Sequence, residues 1–522
     1  MLEAPSATVF ESTLSAAADY DNPLRDVTTV VTFTGPDGSG HAVEAFWDGD
    51  QTFRVRFCPE VAGPWSWEST CSNTADTGLH AQRGEFRCLP YDGDNPLYRH
   101  GSVGLSADRH HFAHRDGTPF FWLADTAWNG ALKSDPQEWE SYLKHRAKQR
   151  FTAVQVVTTQ WRANQTDRVF TLDGELRVLP EAFQRLDARL GATNDHGLIA
   201  APVMLWALTK DDPGVYLSEE DAIALGRYQQ ARWGAYQVMW ILGGDGRYLE
   251  GDVTRWHRIG RGIFSPPFGA RASLPARLVT MHPCGTSWVV KEFRHEPWFG
   301  FHGYQSGHGD SDDHLRWLIN GPPDQPWQAE PVHPIVNLEP NYETHISYHS
   351  KRRITPQQVR RAAYWSLLVT PPAGITYGNN SVWWWGRQPE VPLAHDAIGV
   401  VDPWQAGLDL PGVGNMTVLR DFFESLPWPQ LRPAQQLLAT QPGDEDPNRH
   451  VMAAATTDGT VAVIYTPVGG ELSLVLKGLT LPLQAQWFSP RNGDYTAAGQ
   501  VTSPNARMTT PDHEDWVLLL NT

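Results

Sequence analysis

Three carboxylates close apolar runs of the kind that form buried strands: Asp125 in FWLADTAW, Asp245 in WILGGDG and Glu339 in IVNLEP. An ionised group is costly to bury, so each of these must be solvated, paired or put to use. Two carboxylates set across a ligand are what glycosidic cleavage needs. One protonates the leaving oxygen while the other attacks the anomeric carbon or activates a water. Asp245 closes the fourth run and Glu339 the seventh, positions that face each other across the mouth of an eight-stranded barrel. Gly243 and Gly244 would let backbone come close to a ligand there. Polar and aromatic residues at the ends of the runs, or just past them, form the expected sugar contacts: Asp125, Trp128, Gln160, Trp161, Trp206 and His282. His302, Tyr304, Gln305, Tyr342, Glu343 and Trp384 complete that set. The structural alternatives are a turn for Asp245, an ion pair with a barrel Arg for Glu339, and a cap on the following turn for Asp125.

The elements that would position these groups are legible as a rhythm. From about residue 105, apolar runs alternate with helical patterns: PFFWLADTAW, FTAVQVVTTQW, LIAAPVMLWAL, YQVMWILGGDG, ARLVTMHPCG, WFGFHGYQSG, HPIVNLEPNYE and PPAGITYGNNSVWWW. The runs are continuous rather than alternating, as strands covered on both faces require. Helical segments such as PQEWESYLKHRAKQR and SEEDAIALGRYQQARWGA open on start signals, Ser134-Asp135-Pro136 and Ser218-x-x-Asp221. Eight such repeats predict an α/β fold, a (β/α)8 TIM barrel over residues 93–429. A doubly wound sheet is the alternative, weakened because no Gly-rich phosphate loop follows the first strand. Residues 1–92 and 430–522 carry short period-2 runs between Gly, Pro and Asp turns, and each predicts a β-sandwich.

Composition excludes several classes. The net charge is −17 and there is no Lys/Arg run, which argues against a nucleic-acid surface. No apolar run reaches a membrane span. Cys58, Cys71, Cys88 and Cys284 show no CxxC spacing, so a thiolate metal site is not expected. A local disulfide among the first three and four free thiols remain equally open. The segment FHGYQSGHGDSDDH, with His302, His308, Asp310, Asp312, Asp313 and His314, could hold a divalent metal, but a helix start is the more economical reading. GYQSG is not a nucleophile elbow, and RHHFAH reads as a solvated loop. No cofactor is therefore expected. No signal peptide is visible, which reads as cytoplasmic, or as secreted if a leader has been removed.

The stretches RHHFAHRDGTPFFWLADTAWNG and YLKHRAKQRFTAVQV, with WILGGD and NLEPNYE downstream, resemble the apiosidase-like catalytic domain, glycoside hydrolase family 140 and its relatives. FWDGDQTFRVRFCPEVAGPWSWE resembles the β-sandwich module that often precedes this barrel. AQWFSPRNGDY resembles the small C-terminal β domain labelled as collagen-binding. Ala124 and Arg150 stand where relatives often carry Gly. The resemblance implies a glycosidase acting on an oligosaccharide or glycoside that carries apiose or a related sugar. It implies Asp245 as general acid/base and Glu339 as nucleophile, with retention of configuration. Two further readings compete: a non-catalytic carbohydrate-binding protein on the same barrel, and a metal-dependent hydrolase at the His/Asp segment.

Overall fold

The structure, a computed structural model, describes residues 2–159, 168–249, 251–266, 277–321 and 326–522. Eight parallel strands form its centre: β1 Trp122–Thr126, β2 Ala153–Val157, β3 Ile199–Trp206, β4 Trp240–Gly246, β5 Val279–Pro283, β6 His302–Tyr304, β7 Ile335–Asn337 and β8 Gly374–Tyr377. Each of the eight predicted runs supplies one of them. They are ordered 5-4-3-2-1-8-7-6 in a single sheet, and β5 lies beside β6, nearly closing the ring into the expected TIM barrel.

The helices between them start where the sequence signals them. Helix α1 (Pro136–Lys148) opens on a reciprocal capping box between Asp135 and Glu138. Helix α2 spans Pro180–Asp195, and α3 (Glu219–Trp233) is capped by the Ser218 hydroxyl accepting from the Asp221 N–H. Helix α4 spans Gly251–Phe264, and α5 spans Asp312–Asn320. Helix α6 (Pro356–Leu368) carries a second capping box, Thr355 with Gln358, and α7 spans Pro411–Glu424.

Strand side chains divide into two layers. Trp122, Ala124, Val157, Ala201, Val203, Ile241, Phe301, Val336 and Leu338 fill the lumen. Leu123, Val154, Met204, Leu242, Met281, Ile375 and Tyr377 pack under the helices. This division fixes which strand-end residues can meet a ligand.

Ahead of the barrel, a five-stranded and a three-stranded sheet face each other around Val31, Phe33, Val55 and Phe86. Cys58, Cys71 and Cys88 are buried there as free thiols. Buried ion pairs tie this module to the barrel helices: Arg56 and Arg232 share Asp187, and Arg232 also reaches Asp48 at 2.7 Å. After the barrel, a six-stranded sheet and a two-stranded ladder pack around Ile464, Leu474 and Trp487. Arg360 of α6 fixes this module through a bidentate pair with Asp515, both bonds 2.8 Å. Among the described residues no helix is long and apolar enough to cross a membrane.

Candidate active site

Glu339 lies two residues past β7, where Pro340 ends the strand, and it is 7% exposed. The neighbouring Leu338 already belongs to the lumen, so the alternation of the strand breaks at this point. His308 Nε2 donates to Glu339 Oε1 at 3.0 Å, and His282 Nε2 stands 3.3 Å from Oε2, off the line of a hydrogen bond. Burial acts to raise the Glu339 pKa, but the two imidazoles outweigh it and hold the carboxyl at about 2. Glu339 is therefore a buried carboxylate whose surroundings favour its ionised form.

The backbone N–H of Tyr342 points at His308 Nδ1 at 3.3 Å. Nδ1 therefore accepts there, and Nε2 is the nitrogen that donates to Glu339. His345 stacks 4.2 Å from His308 and donates its own Nδ1–H to the Ile346 carbonyl. Burial first, and His308 after it, lower His345 to about 3.

Asp245 sits inside β4 at φ 55°, a left-handed conformation that Asp tolerates better than most residues. Two register shifts against β5, on either side of Gly244, produce a bulge there, and bulges re-aim side chains at strand ends. Asp245 is partly exposed. Burial of the Tyr348 hydroxyl, and after it the charges of both Glu339 and Asp245, push that phenol up.

Trp128, Trp206 and His282 form an aromatic wall in the lumen, with ring centroids 5.3 Å apart for the two tryptophans and 5.5 Å for Trp128 and His282. Tyr342 stacks on His308 at 4.4 Å, and burial, then the Glu339 charge, push its hydroxyl well up. The His282 ring nitrogens, the Tyr342 hydroxyl and Gln305 Oε1 are buried without a well-formed hydrogen bond to the protein. Polar atoms so placed are suited to the hydroxyls of a sugar.

Five expected contacts are corrected by the geometry. Asp125 shares its face of β1 with Leu123 and points under the helices. There Arg146 Nε donates to it at 2.6 Å and the Tyr142 hydroxyl at 2.7 Å, and it is 0% exposed. His302 and Tyr304 flank Gly303, whose missing side chain would meet Leu338 of the lumen. The two flanking side chains therefore point outward, His302 against Phe299 and His333, Tyr304 against Trp288 and Trp317. Glu343 is held by the Tyr377 hydroxyl at 2.6 Å and the Gly412 N–H at 3.0 Å, which tethers the start of α7. Trp384 lies near the mouth, but the Lys133 ammonium covers its ring face at 3.3 Å and its N–H is spent on Glu390. Gln160 and Trp161 lie outside the described residues.

His308, His345 and Tyr348 are the mouth residues missed as contacts. The segment carrying His308 does start a helix, with Ser311 capping α5 and Asp312 and Asp313 in its first turn. The signal for His308 was SGHG: Gly307, at φ 73°, turns the chain back over the barrel end.

An eight-stranded barrel with a buried, ionised carboxylate at its mouth, a second carboxylate nearby and an aromatic wall has the architecture of a glycoside hydrolase. Residues 106–430 match the family described as "Apiosidase-like, catalytic domain", which is more than half of the chain. The chain belongs to this apiosidase-like family and is a glycosidase. Residues 7–72 match a domain of unknown function, and residues 433–521 match a "Putative collagen-binding domain of a collagenase". Among solved structures, a family 5 glycoside hydrolase from Bacteroides vulgatus is similar with TM-score 0.68 and 21% identity, over 82% of this chain and 95% of that one. A "putative glycoside hydrolase" from the same organism is similar with TM-score 0.71 and 18% identity, over 100% of both chains. At these identities the likeness carries the fold alone. No curated protein matches the chain.

Proposed function

We propose that this glycosidase removes a terminal apiose, or a related furanose or pyranose, from an oligosaccharide or glycoside with retention of configuration. The observation that carries the reading is Glu339, buried at the barrel mouth with one carboxylate oxygen held by His308 at 3.0 Å. Glu339 attacks the anomeric carbon, forming an ester bond as the glycosidic C–O bond breaks. The departing oxygen takes its proton from Asp245. Asp245, now a carboxylate, removes a proton from water. The water oxygen displaces Glu339 from the anomeric carbon, and both residues return to their starting states. A nucleophile must remain charged, and the neighbouring His282 and His308 imidazoles favour the ionised form of Glu339.

The test is a panel of p-nitrophenyl glycosides, including apioside, arabinofuranosides, fucosides and galactosides, with the first-formed product anomer followed by NMR. Glu339→Gln should lower kcat per folded molecule by about 10⁴-fold. Asp245→Asn should lower it by about 10²- to 10⁴-fold, less for p-nitrophenol than for leaving groups that need protonation. Full activity in either variant, or inversion at the anomeric carbon, overturns the reading.

A further inference from the structure

We infer that His308 is the positioning residue of this site, fixing one oxygen of Glu339 and leaving the other, Oε2, to attack. The inference rests on the proposed role of Glu339 and deepens it. His308 is itself held from three sides. Its Nδ1 faces the Tyr342 N–H at 3.3 Å, its ring lies between Tyr342 at 4.4 Å and His345 at 4.2 Å, and its carbonyl accepts from the Tyr348 N–H at 3.0 Å. The turn that carries it is stitched to the loop that carries Glu339. The Gly307 N–H donates to the Glu339 carbonyl at 3.0 Å, and Asn341 Nδ2 donates to the carbonyls of Gly307 and Gly309, each at 3.2 Å. Asn337 Oδ1 accepts from both the Ser306 and Glu339 N–H groups at 3.3 Å. Donor and carboxylate therefore belong to one rigid assembly, which is what holding a near-attack geometry requires.

The two oxygens of Glu339 are unequal as a result. Oε1 is engaged by an aligned donor, whereas His282 Nε2 stands 3.3 Å from Oε2 without a formed hydrogen bond. The His282 ring beside Oε2 packs against Trp128 and Trp206. The other ionisable groups around Glu339 are Tyr342, His345 and Tyr348 on its own loop and Asp245 on β4. Without His308, Glu339 keeps its burial but loses its aligned donor. It then both rotates and becomes easier to protonate.

The experiment compares His308→Leu and His308→Gln with the wild type, using the p-nitrophenyl glycoside that the wild type cleaves fastest. His308→Leu should lower kcat about 100-fold, with KM within roughly threefold. The acidic limb of its kcat/KM profile should move to higher pH. His308→Gln retains a neutral donor that can reach Oε1, so it should recover about tenfold of the lost kcat and return the limb towards that of the wild type. A Leu variant whose limb does not move, or a Gln variant no better than Leu at equal Tm, overturns the inference. If the Leu variant does not fold, the Gln variant decides alone: a kcat roughly tenfold below the wild type with the limb close to its wild-type position supports the inference, and a kcat equal to that of the wild type or as low as that of Glu339→Gln overturns it. Glu339→Gln, assayed in parallel, separates the two readings. Its full activity would remove the proposed site, whereas its inactivity beside an unmoved His308→Leu profile would remove only the positioning role.

Discussion

The lumen of the barrel and the layer beneath its helices treat a buried carboxylate in opposite ways. Under the helices, Asp125 meets the guanidinium of Arg146 and the hydroxyl of Tyr142, with Asp125 and Arg146 both 0% exposed. In the lumen, Glu339 meets two imidazoles and no guanidinium. A guanidinium cannot give up its charge, so the Asp125 pair is permanent and has nothing left to offer a ligand. The two imidazoles favour the ionised form of Glu339, and the single aligned donor among them leaves the second oxygen without such a bond. Both acids close a barrel strand, so location at a strand end does not by itself define a site. The face of the strand decides.

The strongest way to break this contrast in stability is Asp125→Asn. The amide would leave the Arg146 charge buried without a counter-ion, which costs about 3–5 kcal/mol. Denaturant unfolding should register that loss, while kcat per folded molecule stays within about twofold of the wild type. A fall in kcat at unchanged stability would instead assign Asp125 to the lumen.

A second contrast lies within one loop. Glu339 and Glu343 shift in opposite directions from the ordinary value of 4.5. The imidazoles hold Glu339 at about 2, so its contribution to stability is present above 4.5 and lost as pH falls towards 2. Glu343 is raised, because burial outweighs the Tyr377 hydroxyl and the Gly412 N–H. Its contribution is present below 4.5 and lost as pH rises through its folded value. Glu343→Gln should cost about 1–3 kcal/mol by mispairing the Gly412 N–H. Beyond that offset, its Tm should fall less than that of the wild type between about pH 4 and pH 7. Parallel Tm profiles over that range would show that Glu343 does not carry the dependence.

The same two layers explain what the sequence could reveal. Strands and helices were legible because continuous apolar runs and paired start signals, Asp135 with Glu138 and Ser218 with Asp221, survive in one dimension. The facing of strand-end residues was not. Parallel strands are apolar on both faces, so Asp125 beside Ala124 and His302 beside Gly303 carry no alternation from which an inward side could be chosen. Asp245 and Glu339 stood out because Gly-Gly and Pro mark places where regular pairing stops. His308 was hidden for a physical reason. Its role depends on Gly307 turning the chain back and on the backbone N–H of Tyr342, thirty-four residues away, and neither is a property of the histidine itself.

The finest test of the two-layer picture uses adjacent glycines on β4. A methyl group at Gly244 would stand 2.4 Å from Cε3 of Trp206 and 2.7 Å from Cγ1 of Val203, inside the lumen. A methyl group at Gly243 would stand 2.6 Å from the Tyr248 hydroxyl and 2.9 Å from the Trp256 ring, under the helices. Neither glycine has a positive φ, so alanine meets only the packing. In Gly244→Ala the indole of Trp206 must shift along the wall it forms with Trp128 and His282. At the mild end of overpacking this costs about 1 kcal/mol. If that wall lines the sugar site as proposed, the effect should appear as a rise of roughly fivefold in KM at nearly constant kcat. Gly243→Ala disturbs a similar volume on the other face, so its effect should appear as a lower Tm with KM unmoved. If both variants changed only Tm, the Trp206 wall would not contact substrate. If Gly243→Ala changed KM as much as Gly244→Ala, the two layers would be mechanically coupled at β4, and the division between framework and site would fail there.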